Sequence, residues 1–280
     1  MLLLLDLDGT VWRGAQPVPG VAALLTERVA RGDTVVYVTN NSMHHRAAYV
    51  PRLRALGAPV TLEHVVTSAR ATALYVAAMS PRVTRVLAVG SDGFVAELRE
   101  AGLVVVTAGQ AAPVYRAGTG AMRASGDPQV VAAGLDRSID YDGLAVASAC
   151  IRAGAGFVAS NRDPVFPSER GLEPGAGSII AALETASGVV PVSMGKPSPH
   201  LLEEAARIAG LPLADAVVIG DSVHTDIAAA HAAGVRSILM LTGVARREHL
   251  AGIDPTALPT VVAADAAELA AALDSLDSPG

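Results

Sequence analysis

The sequence predicts an α/β protein: a doubly wound, Rossmann-like parallel sheet with a second α/β domain inserted into it. Three observations lead there. Short apolar runs alternate with alanine-rich stretches of helical spacing, the pattern of repeated strand–helix units. The runs are continuous rather than alternating, which suits strands covered on both faces of a parallel sheet. The chain of 280 residues is long for one core and comfortable for two, and its middle has a different texture from its ends.

Taken in order, Leu2 to Leu5 reads as the first strand and Gly20 to Arg31, rich in good helix formers, as the first helix. Val35 to Val38 is the next strand. Val86 to Val89 and Val104 to Val106 follow, within a region from 80 to 188 that holds most of the glycine-rich loops, such as Ala117 to Gly126 and Gly154 to Gly156. That region is expected to be the inserted domain, with a core made of residues 1 to 79 and 189 to 280. After it come a short run at Val190 to Val192, a helix at Ser198 to Ala209, and strands at Val217 to Ile219 and Ser237 to Leu241. Pro259 to Leu273 reads as a strand and a last helix, and Asp274 to Gly280 as a loose tail.

Composition narrows the function classes. Half of the residues are apolar, enough for a large core and against disorder. A net charge of -6 argues against a nucleic-acid binder, which would carry a basic stripe. Cys150 is the single cysteine, so no intramolecular disulfide forms and a reducing, cytoplasmic setting fits. No Cys/His cluster has zinc spacing. Met1 to Leu5 is too short and lacks the basic start of a secretory signal. No uncharged run approaches the roughly 18 residues of a spanning helix, so no membrane association is expected.

The polar residues that end the apolar runs carry the chemistry. Leu2 to Leu5 runs into Asp6-Leu7-Asp8-Gly9-Thr10, Val35 to Val38 into Thr39-Asn40-Asn41-Ser42, and Val217 to Ile219 into Gly220-Asp221-Ser222. Strand carboxyl ends share one edge of a parallel sheet, and ligands bind in the crevice there. Gly195-Lys196-Pro197, after the run at Val190, is a candidate to join them. Asp6, Asp8, Asp221 and Asp226 would then form a dense carboxylate group whose repulsion a hard divalent cation relieves; Mg²⁺ is the usual choice beside phosphate. Lys196 adds positive charge, Thr39 a hydroxyl, and the loop amides near Gly9 and Asn40 further donors, together a cradle for a tetrahedral oxyanion. Singly, Asp6, Asp221 or Thr39 reads as a helix cap, Asp226 as a first-turn acid and Lys196 as a surface charge. The combination favours a site, because each group ends an apolar strand and their chemistries are complementary.

Those four segments, with Val223-His224-Thr225-Asp226 completing the last, resemble in order the four motifs of the haloacid dehalogenase superfamily. The wider match resembles its NagD-like, 4-nitrophenylphosphatase branch (subclass IIA). Gly134-Leu135-Asp136-Arg137, Ala159-Ser160-Asn161-Arg162-Asp163 and Pro174-Gly175-Ala176-Gly177-Ser178 are similar to segments of that branch's large α/β cap domain. The resemblance implies a Mg²⁺-dependent phosphatase acting on small-molecule phosphate monoesters. In it Asp6 is the nucleophile that forms an aspartyl-phosphate, and Asp8 the general acid and then base. Thr39, Asn40 and Gly9 hold phosphate oxygens, and Lys196 neutralises charge. Asp6, the carbonyl of Asp8, and Asp221 bind the metal, with Asp226 behind them. Asn161, Arg162 and Asp163 are the candidates for reading the leaving group, in a cap expected to close over the strand ends. A homodimer through the cap is implied by resemblance alone.

The chain departs from the branch at Ser222, where arginine or asparagine is common, and at His224. His224, His44 and His45 otherwise read as surface or first-turn histidines. Trp12, the sole tryptophan, reads as packing for the loop after the first motif. A same-fold phosphomutase or phosphotransferase is an alternative, disfavoured by the large insertion. A phospho-acceptor signalling module, which also uses a strand-end Asp, Thr and Lys, is disfavoured by Asp8. Glycerol 3-phosphate, phosphoglycolate, pyridoxal phosphate, nucleotides and sugar phosphates all stay open as substrates.

Overall fold

The computed structural model describes residues 1–117, 128–168 and 170–277. The glycine-rich stretch expected as a loop at 117–126 lies, but for Ala117, outside them. Contacts divide the chain into two compact units: Met1–Thr39 with Arg46–Val66 and the chain from Lys196 onward, and Asn40–His45 with Thr67–Gly195.

The first unit is built on six strands in the order β15-β14-β13-β1-β4-β5. β1 (Leu2–Leu5) lies between β4 (Thr34–Thr39) and β13 (Ala216–Gly220), parallel to both, with Leu5 opposite Tyr37 and Ile219. β14 (Arg236–Met240) and β15 (Val261–Ala263) extend the sheet in parallel on one side, and β5 (Val65–Thr67) closes the other. The chain passes from β1 outward through β4 and β5 and later returns to the opposite side at β13. The order therefore reverses between β1 and β13, the place where open parallel sheets bind ligands. All four leucines of β1 are wholly buried, which is why the sequence tolerates no alternation there. Each contributes about 2 kcal/mol of burial.

Helices at Val21–Ala30, His200–Ala209 and Ala266–Asp277 cover this sheet. The stripe Leu201, Leu202, Ala205, Ala206 of the second is buried, as its spacing requires. The last helix overturns the loose tail expected from Asp274 as far as Asp277; residues 278–280 of that tail lie outside the described ones. Arg28 holds the helix, donating to Asp274 at 2.9 Å and to Asp277 at 2.8 Å while also pairing with Asp33 at 2.5 Å.

The second unit has its own parallel sheet, in the order β12-β9-β8-β6-β7. Its strands are β6 (Arg85–Val89), β7 (Val104–Thr107), β8 (Val130–Ala133), β9 (Gly156–Ala159) and β12 (Val192–Ser193). The run at Val190 thus yields only a two-residue strand, and it pairs with β9 of this sheet rather than joining the first. β7 is an edge strand, so Val104 and Val106 are 61% and 43% exposed instead of covered on both faces. Cys150 is buried in this unit's core with Val146, Ile151, Phe157 and Ile180, as a small hydrophobe. Ser91 and Asp140 cap helices Asp92–Glu100 and Tyr141–Arg152. Among the described residues no helix is long and apolar enough to cross a membrane.

Candidate active site

The carboxyl ends of β1 and β13, on either side of the order reversal, carry Asp6 and Asp221. The Asp6 N–H still donates to the Ile219 carbonyl at 2.8 Å, so its backbone continues the ladder while its side chain leaves the strand. Lys196 donates to Asp6 Oδ1 at 2.6 Å and to Asp226 Oδ1 at 2.6 Å. The second oxygen of Asp226 accepts the Ser222 N–H at 3.1 Å, which bends the turn Val223–Ile227 back onto the strand end. All four side chains are withdrawn from solvent, Lys196 to 2% exposure. Lys196 is also the only lysine in the sequence, a signal that sequence reading passed over.

The charges do not balance. One ammonium faces three carboxylates whose ligand oxygens all lie within 4.8 Å of one another. Burial pushes the Asp6 carboxyl well above its usual range, and Asp226 and Asp221 push the same way against Lys196. Burial, with Asp226 beside it, pushes Asp221 up to about 6, although the Val244 N–H favours its charge. Burial works against the charge on Lys196, but Asp226 and Asp6 outweigh it and hold the amine protonated. A cluster of hard oxygen donors with excess negative charge fits a divalent cation of the Mg²⁺ type.

Two glycines make room for this packing. A β-carbon at Gly9, where φ is +89°, would stand 2.1 Å from Asp221 Oδ2, and one at Gly243 would stand 1.7 Å from it. The loop after β14 was not singled out in the sequence, since it acts through backbone. Val244 N–H donates to Asp221 Oδ2 at 2.6 Å, and Thr242 Oγ1 donates to the Gly9 carbonyl at 2.6 Å. The Gly9 N–H, expected as a donor to phosphate, is instead taken by the Trp12 carbonyl at 2.6 Å.

Asp8 is exposed, and its Oδ1 accepts the indole N–H of Trp12 at 2.8 Å. Thr39, the last residue of β4, is 4% exposed. The buried phenol of Tyr49 is pushed above its usual pKa by burial and then by Asp8 and Asp6.

Other expected residues lie in the second unit. The Asn40 side chain donates to both oxygens of Asp163, at 3.0 and 3.2 Å, and its carbonyl accepts from Ser68 at 2.6 Å and Asn161 at 2.7 Å. Arg162 pairs with Glu184 at 2.5 Å. His45 pairs with Glu100 at 2.8 Å and approaches the buried Glu97, while His44 and His224 are exposed.

Fold and carboxylate centre together define a class, a parallel-sheet α/β protein with a buried aspartate cluster at its strand ends, and comparison with known proteins gives the family. The haloacid dehalogenase-like hydrolase model matches residues 3–104, and the HAD-hydrolase-like model residues 193–269. D-glycerol 3-phosphate phosphatase from Mycobacterium tuberculosis is 38% identical over 94% of this chain and 69% of its own length. A solved structure of a glycerol phosphate phosphatase from that organism, in complex with magnesium, superposes with a TM-score of 0.80 over 96% of this chain and 75% of the other at 38% identity. The p-nitrophenyl phosphatase from Archaeoglobus fulgidus, 30% identical, gives a TM-score of 0.83 over 97% of this chain and 98% of its own. A 5'-nucleotidase from Bacillus subtilis is 34% identical over 88% of this chain and 89% of its own. The chain belongs to the haloacid dehalogenase-like hydrolase family, among NagD-like phosphatases.

Proposed function

We propose that the chain hydrolyses small-molecule phosphate monoesters in two half-reactions through a phosphoryl group carried on Asp6. The chain is a phosphoric monoester hydrolase, and the observation that supports this mechanism best is the Asp6–Lys196–Asp226 arrangement, with its two 2.6 Å contacts. In the first half-reaction an Asp6 oxygen attacks phosphorus and the bond to the leaving oxygen breaks. Asp8 gives that oxygen its proton. In the second, water attacks the phosphorus of the acyl-phosphate, Asp8 takes its proton, and the bond to Asp6 breaks to release inorganic phosphate.

Lys196 stays protonated throughout and offsets the charge of nucleophile and phosphate. Thr39 and Asn40 are assigned to phosphate oxygens. Asp6, Asp221 and the Asp8 carbonyl would hold Mg²⁺, with Asp226 fixing Lys196 behind them. When bound, the cation supplies the charge that lets a carboxylate approach a phosphate dianion. Residues 80 to 188 are assigned as the cap, and Asn161, Arg162 and Asp163 as residues that set selectivity. A cytoplasmic homodimer completes this reading, the compartment resting on the lone Cys150 and the dimer on family resemblance.

The test is release of inorganic phosphate from 4-nitrophenyl phosphate and from a panel with glycerol 3-phosphate, nucleoside monophosphates and sugar phosphates. Asp6→Asn should retain the fold and lose turnover by several orders of magnitude. Near-normal activity in Asp6→Asn would end the proposal. Transfer of phosphate to an added alcohol instead of water would point to the phosphotransferase alternative.

A further inference from the structure

Trp12 was expected to be packing, and it does pack: it is 1% exposed and belongs to the hydrophobic core that also holds Leu7, Val11, Val18, Tyr49 and Leu53. Packing alone does not explain the polar contacts it makes. An indole N–H is a donor only, and a buried one needs a partner. The partner here is Asp8 Oδ1, at 2.8 Å, although Asp8 itself is exposed and lies four residues away. The backbone repeats the tie, since the Trp12 carbonyl accepts the Gly9 N–H at 2.6 Å and the Trp12 N–H donates to the Leu7 carbonyl at 3.2 Å. Trp12 therefore grips the segment 7–9 by side chain and main chain together.

The ring is held in its turn. The Arg52 guanidinium lies 3.9 Å above the ring centroid, a cation–π distance, and its Nη2 donates to the Gly14 carbonyl in the turn between β2 (Trp12–Arg13) and β3 (Gln16–Pro17). Arg52 thus fastens the indole face and the turn that follows it. A freely solvated aspartate samples several side-chain rotamers, and an exposed Asp8 would do the same without this chain of contacts.

We propose that Trp12 is a positioning residue for Asp8, clamped by Arg52, and that it aims the carboxyl at the leaving oxygen. The inference rests on the proposed role of Asp8. With Oδ1 engaged by the indole N–H, Oδ2 is the oxygen left to face the leaving group, so a single oxygen is presented. Small displacements of a proton donor are costly, of order a hundredfold for about 1 Å.

The experiment is a leaving-group series: aryl phosphates from 4-nitrophenyl to phenyl phosphate, hydrolysed by the full chain with Mg²⁺. The quantity read is kcat/KM, which reports steps up to the first cleavage and is blind to phosphoenzyme breakdown. Trp12→Phe keeps the ring's bulk and removes the N–H. Its rate should fall more steeply as the leaving phenol becomes more basic, so the 4-nitrophenyl to phenyl ratio should widen about tenfold or more. Arg52→Gln should widen it in the same direction by less, and Arg52→Lys should restore part of the loss.

A merely structural Trp12 would lower all substrates in parallel, leaving the ratio unchanged, and that result overturns the proposal. Should Trp12→Phe fail to fold, an unchanged ratio in Arg52→Gln overturns it equally. Asp8→Asn separates the two levels of the argument. If it does not widen the ratio, the assignment of Asp8 as acid fails. If it does, while Trp12→Phe does not, only the positioning role fails.

Discussion

Asp226 and Lys196 form an ion pair of 2.6 Å with each side chain only 2% exposed. The pair binds the turn Val223–Ile227 to the segment that follows Gly195, 30 residues earlier in the chain. Asp226→Ala would leave one side of a buried ammonium and the Ser222 N–H without their acceptor. It should cost about 3 kcal/mol of stability, as broken buried pairs do. Urea unfolding checks this, and a change within about 0.5 kcal/mol, typical of a surface site, would mean the pair does not brace the centre.

The pH dependence of stability should run opposite to that of most aspartates. Asp221 has its folded pKa raised from 3.8 to about 6, and Asp6 is raised in the same direction. Between those values the folded protein holds a proton that the unfolded chain has released. This contribution is therefore present at low pH and is lost as pH rises through about 6. A bound divalent cation replaces the lost proton, so Mg²⁺ should raise the melting temperature more at pH 7 than at pH 5. Equal shifts at both would detach the metal from these carboxylates, as would full activity in excess chelator.

Gly243→Ala tests whether the loop after β14 sets the position of Asp221. The added β-carbon would fall 1.7 Å from Asp221 Oδ2, so the carboxylate or the loop must move. Half-maximal activation should need at least tenfold more Mg²⁺, in the range that loss of an orienting partner produces. An unaltered Mg²⁺ requirement would show that the loop yields instead.

Arg28→Met should destabilise the first unit by about 1–2 kcal/mol, because Asp33, with a side chain 6% exposed, loses its guanidinium partner and keeps only the Met1 amine, at 2.6 Å. Hydrogen exchange should rise specifically in helix Ala266–Asp277, whose last turn Arg28 holds. Uniform acceleration throughout the unit would place the effect elsewhere.

Arg162→Ala should reorder the substrate panel while sparing 4-nitrophenyl phosphate. A uniform loss on every substrate would assign Arg162 to the stability of its own segment, through its partner Glu184 on helix Ala176–Ser187.

What the sequence made legible follows from burial. β1, β4 and β13 lie inside a parallel sheet, so their apolar runs are continuous and the polar residues that end them stand out. Asp6, Thr39 and Asp221 were readable as strand-end residues for that reason. Gly243 and Val244 were not, because one contributes the absence of a β-carbon and the other an N–H, which every residue but proline has. The exposure of Val104 was hidden because a run of valines does not say whether its strand has one neighbour or two. The anchoring of Asp274 depends on Arg28, 246 residues away, and no local pattern carries that information.

The single lysine has a consequence for how this protein meets amine-directed reagents. Apart from the α-amine of its first residue, the sequence offers acylating or carbamylating agents only Lys196, and the fold withdraws that amine from solvent and keeps it protonated. In the native state its side-chain amine should react hardly at all, and on opening of the strand-end cluster it should react at once. Labelling of one residue therefore serves as a built-in reporter, distinguishing molecules whose centre is closed from those whose centre has come apart, without any engineered probe.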